Sequence, residues 1–187
     1  MPTESDERKR RIVEQILEIE VDMFLRVPTG EEPSCRAHME AMKTHRRGQF
    51  AAWSAATCES YLQDLERARQ DGKNLMTLKY ARMDKLVPPL SANPLIGQIC
   101  DQYVRWQREI IDTFPNTMRG GRDIDDFTNY LTSELETYSD ATLELLYNDV
   151  CEHADAGRNM SREVYEDLAR QAGYDSLEKM EAQLHKE

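Results

Sequence analysis

Glu20 is the first residue in the sequence whose placement asks for chemistry. At about 100° per residue it falls near the centre of an apolar helical stripe formed by Ile16, Met23, Phe24 and Val27. A carboxylate on a core face needs a cation or several donors, or its pKa rises. Two readings follow. One is a buried ion pair with an arginine (Arg36 or Arg82) or a bond to a tyrosine; the other is a binding or acid/base role. A second stripe follows in Cys35, His38, Met42, His45 and Gln49, at spacings of three and four. Cys35-x-x-His38 has metal-compatible spacing, but so few soft or borderline ligands do not complete a site, and no metal is expected. Cys35 near a helix start, with Arg36 beside it, would have a lowered thiol pKa. A nucleophile also needs an oriented base, which His38 alone does not define. The sequence has no Walker loop, dinucleotide fingerprint, paired CxxC or HExxH, and no Glu-x-x-His of the ferritin-like di-iron kind.

The elements that must position these residues read as helices. Ile12, Ile16, Ile19, Met23 and Val27 define the first, capped by Ser5 and stopped at Pro28-Thr29-Gly30. Pro33-Ser34 starts a second, with Met39, Met42, Arg46 (by its stem), Phe50 and Trp53 on its apolar face. Ser54 caps a third, running to about Asp71 before Gly72. Asn74 opens a short fourth, ending before Pro88-Pro89. Asn93-Pro94 starts the next, which carries Leu95, Ile99, Tyr103, Trp106 and Ile110 up to Pro115. Asp123, Ser139 and Ser161 start three more, the last stopped at Gly173. Asp175-Ser-Leu-Glu178 reads as a capping box for a terminal helix. The expectation is an all-α fold of about nine helices with no strand.

The two halves superimpose at an offset of 85 residues. Trp53-Ser-Ala-Ala-Thr-Cys-Glu59 aligns with Tyr138-Ser-Asp-Ala-Thr-Leu-Glu144. Over 53–83 against 138–168 there are eight identities in 31 positions, against roughly two from ordinary residue usage. Such a match marks a repeated supersecondary unit. The expected architecture is a single all-α domain with an internally duplicated four-helix unit, pseudo-twofold, around one shared core. Unit one covers about 8–87, unit two about 92–173, and a C-terminal helix about 176–186. Ser54/Ser139, Asn74/Asn159 and Gly72/Gly157 are expected to cap or stop helices in both units, and Tyr80/Tyr165 to anchor packing through hydroxyl bonds. Glu20 lacks such a counterpart, since Tyr103 stands near its equivalent position.

Composition narrows the function classes. The 187 residues carry 24 basic and 35 acidic side chains, a net charge of −11. That surface repels phosphate backbones and anionic lipid heads, so neither nucleic acid nor a membrane is an expected partner. No stretch approaches the ~20 apolar residues of a membrane span. The four widely spaced cysteines suit reduced thiols in a cytoplasmic protein.

Glu18-Ile-Glu20-Val-Asp-Met-Phe24, Ser34-Cys35-Arg36 and Gln49-Phe50-x-x-Trp53 resemble a bacterial family, domain of unknown function 4125. Gly72-Lys-Asn74-Leu, Lys79-Tyr80-Ala-Arg82-Met83, Glu134-Leu-x-Thr137-Tyr138-Ser139 and Gly157-Arg-Asn159 extend the similarity over about 12–175. The resemblance implies no substrate, cofactor or reaction; it implies that Glu20, Cys35, Gln49 and Trp53 belong to a shared motif. Two functions stand. One is a binding or interaction module with a groove for a small molecule or protein partner between the halves. The other is a small-molecule enzyme gathering Glu20, Cys35, Arg36, Gln49, Trp53 and Tyr80, with Glu20 as acid/base or Cys35 as nucleophile. The absence of a complete catalytic constellation favours the first.

Overall fold

The computed structural model describes residues 3–28, 36–121 and 123–185, with backbone alone for 36–38. The described residues form nine helices and no strand: α1 (Glu4–Leu25), α2 (Arg36–Ala52), α3 (Ala55–Gln70), α4 (Leu75–Met83), α5 (Leu95–Thr113), α6 (Ile124–Leu135), α7 (Asp140–Asp155), α8 (Met160–Gln171) and α9 (Leu177–Leu184). The expected start of α2 at Pro33-Ser34 lies outside the described residues.

Local polar chemistry sets most boundaries. The side chains of Ser54, Asn74, Asp123, Ser139 and Asn159 each accept a hydrogen bond from the backbone N–H three residues on. Gly72 and Gly157 take φ of +68° and +65°, so that Lys73 and Arg158 donate back into the last turns of α3 and α7 at 2.8 Å. Four expectations need correction. Thr3, not Ser5, caps α1, in a reciprocal capping box with Asp6. Trp53 lies just past α2, where its N–H bonds Phe50 O and the chain turns into α3. Helix α8 starts at Met160, ahead of Ser161, and its cap is Asn159, as expected from the match with Asn74. The cap of α9 is Ser176, and Glu178 reaches across to Arg162 instead of closing a box with Asp175.

Helix α1 lies against α2, α3 and α4, and α5 lies against α6, α7 and α8. Across the halves α2 packs on α8, α4 on α6, and α3 on α7. Exchanging α1–α4 for α5–α8 reproduces this set of neighbours; α9, packed on α8, stands outside it. One buried cluster joins both halves, with Ile16, Leu17, Phe50, Trp53, Tyr61 and Leu65 meeting Ile99, Leu135, Leu143, Leu146 and Met160. Each such side chain contributes about 1.5–3 kcal/mol by leaving water. A smaller cluster of Ile110, Phe114, Ala169 and Leu177 seats α9.

Glu181 of α9 clamps the turn after α5. Its carboxylate accepts from the N–H and Nδ2 of Asn116 (3.0 and 2.6 Å) and from the N–H and Oγ1 of Thr117 (2.7 and 2.8 Å). Burial pushes this carboxyl up, but those donors outweigh it and hold it at about 2 instead of 4.5. A depressed carboxyl contributes stability that is complete above the unfolded value and lost as pH falls through the folded one. Protection of the amides at 116–118, relative to their intrinsic exchange rates, should therefore fall between about pH 4.5 and 2. Glu181→Gln should show fast exchange there already at neutral pH. An acid profile unchanged by that substitution would remove Glu181 as the cause.

Candidate functional site

The apolar stripe of α1 carries Glu20 into the interior, where it is fully buried, and the apolar face of α2 brings Arg46 to meet it. Arg46 Nε donates to Glu20 Oε2 at 2.9 Å, and Nη2 donates to Oε1. Tyr61, from α3, donates its hydroxyl to the same Oε1 at 2.8 Å. The expected cation was Arg36 or Arg82. Arg82 instead donates to Glu136 at 2.7 Å, and the side chain of Arg36 lies outside the described residues. The tyrosine bond was anticipated; the identity of the arginine was not.

The other edge of the guanidinium meets the second half. Arg46 Nη1 donates to Glu134 Oε1 of α6 at 2.5 Å and to Gln49 Oε1 at 2.8 Å. Tyr138 donates to the same Glu134 oxygen at 2.6 Å. Lys79, from α4, donates to Glu134 Oε2 at 3.4 Å and to the Tyr130 hydroxyl at 3.2 Å, with its ammonium 4.5 Å from the Tyr130 ring centroid. Two carboxylates thus balance one guanidinium and one ammonium. The four side chains are at most 4% exposed.

Burial and pairing pull these groups in opposite directions. Burial disfavours the charged form of Arg46, but Glu134 and Glu20 outweigh it and hold the guanidinium protonated well above its ordinary value. Burial pushes Glu134 up, yet Arg46 and Lys79 win and hold it well below the usual carboxylate range. Tyr61 and Tyr138 are pushed up, first by burial and then by Glu20 and Glu134 respectively. The tyrosines are therefore fixed as donors. Their rings pack at 4.7 Å, with Trp53 edge-on to both.

Above this network a cavity of about 460 Å³ opens between the halves. Phe24, Met42 and Tyr80 line it from the first half, and Phe127, Tyr130 and Tyr165 from the second. Three lining pairs are 85 residues apart: Met42 with Phe127, His45 with Tyr130, Tyr80 with Tyr165. Arg46 touches the cavity from below, His45 stands exposed at its mouth, and Gln107 donates to the Tyr165 hydroxyl at 3.3 Å. A volume of roughly 300–1,000 Å³ is usual for small-molecule sites.

Of the sequence-derived candidates, Glu20, Gln49 and Trp53 gather around Arg46 and Tyr61, and Tyr80 borders the cavity. The structure gives Glu20 and Gln49 to the ion network and Trp53 to the aromatic cluster. Cys35 and the side chains of Arg36 and His38 lie outside the described residues. Burial pushes the Cys58 thiol up to about 12 and raises that of Cys100, so both stay protonated. Among the described residues no group of His, Cys, Asp and Glu is placed to hold a metal ion.

Helical periodicity does not single out Lys79, Tyr61, Tyr130 or Glu134 as site residues, and it places Arg46 by its stem alone. A signal for Glu134 was present. The 85-residue offset sets it opposite Gln49, so one position carries a neutral acceptor in one half and a charged one in the other.

No curated protein and no solved structure matches the chain. The family described as "Protein of unknown function (DUF4125)" matches it over residues 10–182. The chain therefore belongs to the DUF4125 family.

Proposed function

We propose that the protein is a helical binding module that takes a small molecule in the cavity between its two halves. The carrying observation is that this 460 Å³ space is walled by aromatic side chains from both halves, three of its lining pairs sharing the 85-residue offset. We read the halves as copies of one four-helix unit within a single domain. Equal spans of α3 and α7, matched caps and exchangeable helix neighbours support that reading. An acid/base role for Glu20 draws no support, since its oxygens already accept three hydrogen bonds. The net charge of −11 speaks against nucleic acid. Free thiols at Cys58, Cys100 and Cys151 suit a reducing, cytoplasmic setting. No described helix is long and apolar enough to cross a membrane.

Thermal-shift screening of a metabolite library tests the reading. At least one compound should raise the melting temperature by several degrees, on the order of the effect of ligand at 100 times its Kd. Phe127→Trp, which fills the cavity from a half-buried position, should abolish that shift with little change in the unliganded protein. A library without a single stabilising compound, or a shift indifferent to Phe127→Trp, would end the proposal.

A further inference from the structure

Resting on the cavity as the binding site, we infer that its ligand is a planar aromatic carboxylate. Phe24, Tyr80, Phe127, Tyr130 and Tyr165 present five rings to one space, and flat π-systems suit offset or edge-on contact with such rings. A cationic ligand has a weaker claim on these faces. The ammonium of Lys79 already sits 5.1 Å from the Tyr80 ring centroid and 4.5 Å from that of Tyr130.

Among the described residues lining the cavity none is acidic, while Arg46 and His45 are basic. The buried quartet is neutral in sum, but Arg46 is the member that borders the cavity; Glu20, Glu134 and Lys79 do not. The described lining therefore carries the guanidinium-bearing member of the quartet and neither of its carboxylates. Arg46 is 3% exposed, and its bonds to Glu20, Gln49 and Glu134 use four N–H groups. A guanidinium has five. The remaining Nη2 N–H can donate to one carboxylate oxygen, a charge-assisted bond of the stronger kind. The surrounding acidic surface opposes this only weakly, because charges beyond about 8 Å are screened at physiological ionic strength.

Four probes of similar size separate the elements of the proposal: naphthalene-2-carboxylate, naphthalene-2-carboxamide, 2-naphthylmethylamine and decahydronaphthalene-2-carboxylate, each titrated calorimetrically. The aromatic carboxylate should bind at least about tenfold more tightly than the other three. Met42→Glu, a half-buried change at the lining, should weaken the carboxylate about tenfold and leave the carboxamide within about twofold. Carboxamide or amine binding as tightly as the carboxylate overturns the anionic class, and an equal affinity for decahydronaphthalene-2-carboxylate overturns the aromatic one. If none of the four binds while the library screen yields a ligand blocked by Phe127→Trp, the ligand class fails and the cavity reading stands. If both experiments are blank, the cavity reading fails as well.

Discussion

Arg46→Leu should destabilise the protein by about 3–5 kcal/mol, because it leaves Glu20 and Glu134 buried with only Lys79 to balance them. Leucine is the informative replacement. Leu131, the residue at the 85-residue offset from Arg46, is buried at 6%. The charged partners of Arg46 are not repeated at that offset: Leu146 and Val164 stand at the offset positions of Tyr61 and Lys79. Leucine is thus compatible with the helix packing and incompatible with the charges. Glu20→Gln in the same chain leaves Glu134 with Lys79 as a balanced pair, so the double variant should recover about 1–2 kcal/mol relative to Arg46→Leu alone. The single variant should also regain stability as pH falls from 7 towards 5. Its unpaired carboxyls, raised in the fold, take up protons there before the unfolded chain does. Denaturant unfolding at both pH values checks this. An Arg46→Leu cost below about 1 kcal/mol, or a double variant no more stable than the single, would show that the quartet does not behave as one charge-balanced unit.

The sequence reading of Glu20 succeeded and failed on one physical ground. Helical period fixes which face a residue occupies, and a carboxylate on an apolar face must find a partner. Period says nothing about which helix lies opposite. Arg36 and Arg82 were named as cations, yet the residue that arrives is Arg46, whose stem had placed it on the apolar side of α2. An arginine can serve both descriptions, because its methylenes pack while its head pairs. Lys79 is illegible for the same reason: its ammonium finds Glu134 because α4 meets α6. Helix boundaries were far more legible, since caps act over three or four residues, and α3 through Gly72 follows the expected course. The failure at α9 is instructive by contrast. Glu178 has the spacing of a capping box with Asp175, but the cap is Ser176, which makes Lys179 the third helical residue and leaves Glu178 to Arg162, sixteen residues away in sequence.

Asp149→Ala should loosen the start of a helix in the opposite half of the molecule, and Asp64→Ala should do the same in return. Asp149 Oδ2 accepts from the N–H of Ser54 (2.8 Å) and the hydroxyl of Thr57 (2.6 Å) at the start of α3. Asp64 Oδ2 accepts from the N–H of Ser139 (3.0 Å) and the hydroxyl of Thr142 (2.6 Å) at the start of α7. Each aspartate therefore places a negative charge at the positive end of the other half's helix, besides satisfying donors that burial keeps from water. Removing either should cost about 1–3 kcal/mol, with the larger cost at Asp64, whose Oδ2 also accepts from the Ser139 hydroxyl at 3.0 Å. Asparagine at either position keeps an acceptor without the charge and should cost less. Hydrogen exchange distinguishes this from damage at the mutated site. In Asp149→Ala, protection should fall at the amides of the first turn of α3, around 54–58, more than in α7 around 149. The double variant should lose both helix starts and approach the limit of a marginally stable fold, since small domains hold only about 5–15 kcal/mol. Exchange confined to α7 in Asp149→Ala would show that the two halves stabilise themselves separately. The expected pattern would instead mean that neither four-helix half completes its own third helix without the other. That mutual dependence keeps the cavity walls, drawn from both halves, in one fixed relation.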